Sequence, residues 1–145
     1  MNWPEPRVGM VIRYSYLWDR EAKQGREEGI KDRPCAIILA VRREDGDYLV
    51  RALPITHSEP ENPAHSLEIP QPTKKRLGLD SERSWIVLSE SNDFFWPGPD
   101  LRPLHNSVLS SVTYGDLPPA FLAVLRQRVV ALWRERQPFS VKRTE

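Results

Sequence analysis

The chain has 145 residues, enough for one domain with a single hydrophobic core. Its 21 basic and 20 acidic side chains nearly cancel, so net charge does not indicate a polyanionic partner. No stretch approaches the roughly 20 apolar residues of a membrane-spanning helix, the first residues lack the apolar run of a signal peptide, and one cysteine excludes an internal disulfide. We therefore expect one cytoplasmic domain over residues 1–145, with no membrane partner.

Apolar patterning predicts three strands in the first 55 residues. Residues 10–18 alternate between apolar and polar side chains, which is typical of a half-buried strand. Residues 19–32 are densely charged and predict a long exposed loop, either functional or merely solvated. Residues 34–41 form a nearly continuous apolar run, typical of a strand buried on both faces, and residues 48–55 return after an Asp-Gly turn. The last two strands should form a hairpin.

Weaker patterns predict shorter elements in the second half of the chain. They are strands at 66–69, 84–89 and 108–112, a helical turn at 73–77, and an aromatic, proline-rich loop at 92–103. Asp116 is a predicted N-cap of an amphipathic helix that ends near Arg136, with an apolar stripe for the core or for a second copy of the chain. Short strands followed by one such helix predict a mainly β fold, a small barrel with the helix packed on it.

Polar side chains at the ends of the predicted hairpin form the candidate site. A hairpin places the start of one strand beside the end of the other, so Arg33 should lie near Thr56 and His57. A guanidinium offers a charged planar fork to phosphate oxygens, and an imidazole ordinarily titrates near neutral pH. This combination indicates phosphate binding and proton transfer on a nucleic-acid backbone.

Each of these residues also has a structural interpretation. Arg33 could form an ion pair with Asp32 or with a loop glutamate, and threonine is a common strand residue. His57 follows Thr56 directly, so an extended backbone would point it to the opposite face unless the strand bends there. Cys35 opens an apolar strand and is interpreted as a core residue rather than a nucleophile.

Four further residues are candidates for RNA contacts. Lys31 and Glu28 lie in the charged loop and could reach the site, although solvated loop charges are the simpler interpretation, and Ser58 follows the predicted strand end. Trp96 could stack on an unpaired base or, as the sequence favours, pack against the protein. The three histidines are scattered and no carboxylates cluster at metal-ligand spacing, so we expect neither a metal nor another cofactor.

Six short motifs occur in a characteristic order. They are Gly9-Met10-Val11-Ile12, Lys31-Asp32-Arg33-Pro34, Pro54-Ile55-Thr56, Leu77-Gly78-Leu79, Ser84-Trp85-Ile86-Val87-Leu88 and Gly115-Asp116-Leu117. In this order they resemble the MazF/PemK/Kid family of toxin ribonucleases, the PemK-like growth inhibitors. The chain differs from the family pattern at Met10, where an acidic residue is usual, and at Glu90, where glutamine is common.

The resemblance implies an SH3-like small barrel that forms a homodimer. It implies a type II toxin, a metal-independent endoribonuclease that cuts single-stranded RNA to a 2′,3′-cyclic phosphate and a 5′-hydroxyl. By the same resemblance Arg33 and Thr56 match the family's catalytic arginine and threonine. A cognate antitoxin would wrap the dimer, block the RNA groove and form a DNA-binding complex with it. Two other functions stay open, a non-catalytic barrel that binds nucleic acid or protein, and an interaction protein that works through the last helix.

Overall fold

The computed structural model describes residues 3–26, 29, 31–104 and 111–143. Within these residues the chain forms eight strands, three α-helices and one short 3₁₀ turn. The strands are β1 (Met10–Tyr14), β2 (Arg33–Arg42), β3 (Tyr48–Thr56), β4 (Ser66–Glu68), β5 (Trp85–Val87), β6 (Glu90–Trp96), β7 (Thr113–Asp116) and β8 (Phe139–Lys142). The helices are α1 (Asp19–Lys23), α2 (Gln71–Leu77) and α3 (Pro119–Glu135), and the 3₁₀ turn is Pro63–His65. No helix among the described residues is long and apolar enough to cross a membrane.

The predicted hairpin is confirmed as the central pair of the sheet. β2 and β3 are antiparallel, and the register pairs Cys35 with Pro54 near one end and Val41 with Leu49 near the other. The register shifts between Ile37 and Leu39, which marks a β-bulge. Cys35, Ala36 and Ile37 are all buried, but beyond the bulge Leu39 and Val41 are 40% and 46% exposed. The prediction that this strand is buried on both faces is therefore correct only for the first part of β2.

The fold is a mainly β, antiparallel sheet with a helix near its C-terminal end, as expected. The strand order is β4-β5-β3-β2-β1-β7, with β6 pairing along the first half of β3 and β8 adding to β6 in parallel. Nothing in the pairing of the described residues joins β7 to β4, so the sheet is not closed into the barrel that the sequence predicted. β3 uses one edge twice, for β6 along its first half and for β5 at its end.

Two hydrophobic clusters share the interior, and alternation along β1 separates them. Met10, Ile12 and Tyr14 belong to one cluster, while Val11 belongs to the other, because successive strand residues face opposite sides. The second cluster receives the buried stripe of α3, formed by Leu125, Val129 and Leu132. This stripe is therefore core, the first of its two predicted uses.

Two sequence predictions are wrong in the second half of the chain. Residues 92–103 are not wholly a loop, because β6 runs through Trp96 and turns Asn92, Phe94 and Trp96 inward. Asp116 does not cap α3. It ends β7 and pairs with Arg7 at 2.8 Å, and Pro118 occupies the N-cap position. The prolines and glycine around these segments suggested loops, but tertiary pairing with β3 and β1 decides their backbone.

Two elements of the structure were not predicted from the sequence. The charged loop contains α1, and the chain after α3 contains β8, which adds to the edge of β6. The strand predicted at 108–112 lies mostly outside the described residues, and the described strand in this region is β7.

The amide of Asn92 joins three parts of the chain in the interior. Its Oδ1 accepts hydrogen bonds from the Leu17 N–H at 2.8 Å and from Nη1 of Arg143 at 2.8 Å, and its Nδ2 donates to the Leu17 carbonyl at 2.7 Å. Arg143 also donates to the Ser15 carbonyl at 2.7 Å and pairs with Asp100 at 3.0 Å. This buried network ties the residues after β1 and those after β8 to β6.

We predict that Asn92→Ala destabilises the protein by about 2–3 kcal/mol, because it leaves the buried N–H and carbonyl of Leu17 without their side-chain partner and removes one of the acceptors of Arg143. Urea unfolding followed by circular dichroism measures this change in unfolding free energy. Asn62→Ala, which removes an exposed amide that caps the 3₁₀ turn, is the matched control and should cost less than about 1 kcal/mol. Equal losses for the two variants would contradict the prediction.

Candidate functional site

A pocket of about 380 Å³ lies where β2 begins and β3 ends. Its walls come from the residues after β1, the start of β2, the end of β3, and the segment from α2 to β5. The lining residues are Trp18, Arg20, Lys31, Asp32, Arg33, Pro34, Ile55, Thr56, His57, Ser58, Lys74, Leu79, Asp80 and Ser84. The hairpin register creates this site, since pairing Cys35 with Pro54 places Arg33 across from Thr56.

Within the described residues, Arg33 is held by the walls of the pocket and forms no ion pair with a carboxylate. Its Nη1 donates to the Ile55 carbonyl at 3.4 Å, and its guanidinium carbon lies 4.9 Å from the centre of the Trp18 ring, a cation–π distance. Its Nε is buried and has no hydrogen-bond partner among the described residues. Burial lowers the pKa of Arg33, with Cys35 and Glu21 opposing the change. The guanidinium therefore keeps donors for an incoming anion.

The ion pair expected as the alternative for Arg33 does not form with Asp32. The Asp32 carboxylate instead lies 3.3 Å from Nη2 of Arg13 and 3.6 Å from Nε of Arg102. Because these two arginines neutralise Asp32, the carboxylate at the pocket wall opposes an anionic ligand only weakly.

The chain turns as it leaves β3, which brings three successive polar residues to the pocket. Oγ1 of Thr56 accepts a hydrogen bond from the Ser58 N–H at 3.2 Å, so its own hydroxyl proton stays available for a ligand. His57 and Ser58 line the same pocket as Thr56. The expected separation of Thr56 and His57 onto opposite faces does not apply, because β3 ends at Thr56 and the backbone is no longer extended.

Lys74 and Asp80 complete the site, and no pattern in the sequence had predicted either residue as part of it. Lys74 belongs to α2, its side chain is 1% exposed, and its ammonium donates to Asp80 Oδ1 at 2.7 Å, to Ser84 Oγ at 2.7 Å and to the Glu82 carbonyl. Asp80 Oδ2 lies 2.8 Å from Nε2 of His57. Burial acts to raise the pKa of Asp80, but the hydrogen bonds from Lys74 and His57 outweigh it and hold the pKa below its ordinary value.

The charge of the lining favours an anionic ligand. Four cationic side chains line the pocket, those of Arg20, Lys31, Arg33 and Lys74, whereas its carboxylates are those of Asp32 and Asp80. Asp32 is paired with Arg13, outside the lining, and Lys74 and Asp80 neutralise each other, so Arg20, Lys31 and Arg33 supply the excess positive charge of the lining. Guanidinium and ammonium donors beside threonine and serine hydroxyls suit the oxygens of a phosphate group.

Two candidates for RNA contact do not join this cluster. Trp96 lies in β6 opposite Tyr48, at the other end of β3, where it is 7% exposed and donates Nε1–H to the Pro4 carbonyl at 2.9 Å. Trp96 thus packs against the protein, which is the interpretation that the sequence favoured. Glu28 lies outside the described residues. Trp18, which the sequence analysis assigned only to a strand, is the tryptophan on the pocket wall.

Cys35 and Glu90 lie behind the site rather than in its lining. Cys35 is fully buried, and burial raises the pKa of its thiol, so the thiol is a core group without nucleophilic character. Glu90 accepts hydrogen bonds from the Tyr16 hydroxyl at 3.0 Å and from the Asp19 N–H at 3.1 Å. Burial raises the pKa of Glu90 against these bonds. Through Asp19 the glutamate supports the start of α1, next to Trp18.

Within the described residues, His57, Asp80 and Glu82 are the group whose potential metal-ligand atoms lie close together, within 4.8 Å of one another. All three side chains are exposed. The Lys74 ammonium already occupies Oδ1 of Asp80, and its charge competes with a cation there. The chemistry of this group therefore favours proton transfer over metal binding, and the absence of a cofactor stays a prediction.

The chain matches no protein-family model, no curated protein and no solved structure. The support for a function therefore comes from the geometry of the pocket and from the motifs in the sequence.

We predict that the pocket binds inorganic phosphate through Arg33. Phosphate titration followed by ¹H–¹⁵N NMR should shift the backbone amides of residues 31–33 and 56–58, and Arg33→Ala should weaken binding about tenfold, since hydrogen bonds to a charged group are lost. Arg42→Ala is the control, because Arg42 is exposed at the opposite end of β2. Unchanged phosphate affinity in a folded Arg33→Ala protein would refute the assignment.

Proposed function

We propose that the protein is a metal-independent endoribonuclease that cleaves single-stranded RNA. The observation that carries this proposal is the position of Arg33, whose guanidinium reaches the pocket with a buried, unpartnered Nε opposite the hydroxyl-bearing end of β3. A cationic group held in place before the substrate arrives is suited to the negative charge that develops on a phosphate during its reaction.

The reaction would use the RNA's own 2′-hydroxyl as nucleophile. Attack on the adjacent phosphorus forms a 2′,3′-cyclic phosphate and expels the 5′-oxygen, which becomes a hydroxyl. The enzyme must take the 2′ proton, stabilise the five-coordinate phosphorus and supply a proton to the leaving oxygen. Arg33 would stabilise the phosphorane oxygens, and Thr56 would orient the phosphate through its free hydroxyl proton.

The other lining groups fit supporting roles in the same reaction. His57 is the proton-transfer group closest in the chain to Thr56 and lines the same pocket. Ser58 and Lys31 would contact neighbouring phosphate oxygens. Requirement for a 2′-hydroxyl makes RNA rather than DNA the substrate, and a single strand lets the backbone adopt the in-line geometry that the attack needs.

The wider biological role is proposed on the motif resemblance. The order of motifs supports a MazF/PemK-like type II toxin with an SH3-like arrangement of strands, a homodimeric assembly and a cognate antitoxin that blocks the site. The Arg-Pro start of β2 and the Pro-Ile-Thr end of β3 are the two motifs that meet at the pocket. Inhibition of growth would follow from RNA cleavage in the cytoplasm.

We predict that purified protein cleaves a long single-stranded RNA in the presence of EDTA and that Arg33→Ala lowers the rate by about a hundredfold or more, because it removes the charge that stabilises the transition state. Gel analysis of the cuts, with identification of cyclic phosphate and 5′-hydroxyl ends, measures this. Thr56→Val should also slow cleavage while Thr56→Ser retains most of it, since the hydroxyl is the group required.

Arg42→Ala, with an arginine removed from the far end of β2, should cleave at the wild-type rate. Cleavage that EDTA abolishes would indicate a metal-dependent nuclease at His57, Asp80 and Glu82. Binding of RNA without cleavage by folded wild-type protein would favour the alternative function, a non-catalytic module that binds nucleic acid or a protein partner.

A further inference from the structure

Three side chains at the pocket form a chain of hydrogen bonds. The buried Lys74 ammonium donates to Oδ1 of Asp80 at 2.7 Å, and Oδ2 of the same carboxylate lies 2.8 Å from Nε2 of His57. Lys74 is fixed in turn by Ser84 Oγ at 2.7 Å and by the Glu82 carbonyl. Because the buried Lys74 ammonium holds Oδ1, the orientation of the Asp80 carboxylate is fixed and Oδ2 is the oxygen that faces His57.

This arrangement determines where the imidazole carries its proton. An ionised carboxylate can only accept hydrogen bonds, so Nε2 of His57 must be the protonated nitrogen in the neutral ring. Nδ1 then holds the lone pair, and it has no hydrogen-bond partner among the described residues. His57 lines the pocket together with Thr56 and Arg33, so its imidazole ring belongs to the same site as the phosphate-binding groups.

We propose that Asp80, anchored by the buried Lys74, is a positioning residue that holds His57 in the Nε2–H tautomer, so that Nδ1 accepts the proton of the attacking 2′-hydroxyl. This inference rests on the proposed ribonuclease function and assigns the proton acceptor within it. The 2′-oxygen forms its bond to phosphorus as its proton passes to Nδ1, and the bond from phosphorus to the 5′-oxygen breaks. The departing 5′-oxygen takes a proton from water, and the imidazolium returns its proton to solvent.

The surrounding charges are consistent with this role. Glu82 Oε2 lies 3.8 Å from Nε2 of His57, beyond hydrogen-bond distance, so Asp80 rather than Glu82 directs the ring. Lys74 neutralises Asp80 from the opposite side, and the imidazolium formed during the reaction lies against a carboxylate. Asp80 thus both orients the ring and stabilises its charged form during turnover.

Replacement of Asp80 by asparagine tests this role, because it should reverse the tautomer of the His57 ring. The Lys74 ammonium can only donate, so it would hold the amide oxygen of Asp80→Asn at the position of Oδ1. The amide NH₂ would then face Nε2 of His57 and donate to it, which forces the ring proton onto Nδ1. The nitrogen that should accept the 2′ proton would be blocked, although the shape of the pocket hardly changes.

Long-range ¹H–¹⁵N NMR at pH about 8.5, where an ordinary imidazole is neutral, reads the tautomer without any reaction. We expect the His57 ring to be Nε2–H in the wild type and Nδ1–H in Asp80→Asn, with the signals assigned by their loss in His57→Gln. The same tautomer in both proteins, or Nδ1–H in the wild type, would overturn the positioning role whether or not the protein cleaves RNA.

Kinetics test the proton transfer itself. We expect Asp80→Asn to lower kcat for RNA cleavage by about a hundredfold, with KM within about twofold of wild type. In a His57→Gln background the Asp80→Asn change should have no further effect on kcat, because it acts through the ring. Asp116→Asn is the matched control, since Asp116 is an exposed carboxylate paired with Arg7 at 2.8 Å and is not in the pocket lining. It should leave kcat unchanged.

The outcomes separate this inference from the proposed function. Wild-type cleavage together with an unchanged kcat in Asp80→Asn would overturn the inference and leave the ribonuclease assignment intact. No cleavage by the folded wild-type protein would refute the ribonuclease assignment and the proton-transfer role together, and the NMR result would still decide whether Asp80 fixes the ring. A further loss of kcat from Asp80→Asn in the His57→Gln background would show that Asp80 does not act through His57.

Discussion

The antiparallel register between β2 and β3 sets the positions of the pocket and of the strands that pair on either side of the hairpin. Pairing Cys35 with Pro54 brings the start of one strand to the end of the other, and the pocket forms there. A slip of one residue would send every side chain of β2 to the opposite face and separate Arg33 from Thr56. Because both faces of this part of the sheet are buried in two hydrophobic clusters, the register is strongly specified.

A second feature is that the carboxylates at the pocket are held in ion pairs. Asp32 pairs with two arginines outside β2, and Asp80 pairs with a buried lysine and a histidine. The guanidinium of Arg33, by contrast, rests on an aromatic ring and a backbone carbonyl. The neutralised carboxylates lie beside the guanidinium of Arg33, which has no carboxylate partner among the described residues. The pocket is therefore suited to anions, although the chain as a whole has almost no net charge.

Local patterns were reliable where hydrogen bonding and burial are themselves local. The hairpin, the turn between its strands, the helical turn that ends at Gly78 and the buried stripe of α3 follow from spacing and turn chemistry. Patterns failed where a distant partner decides the backbone. Asn92 and Trp96 lie in a segment that looks like a loop, yet β3 pairs with it and turns these side chains inward. β8 exists because β6 offers it an edge.

The same division applies to the site. The sequence predicted that Arg33 and Thr56 meet, because a hairpin with a short turn favours the register that places the start of β2 beside the end of β3. Folding of the whole chain adds Trp18 and the Lys74–Asp80 pair to the site and places Trp96 elsewhere. These contacts connect residues far apart in the chain, and no spacing rule relates them. A lysine in a short helix is ordinarily exposed to solvent. Lys74 is buried instead, because three oxygen acceptors replace water around its ammonium group.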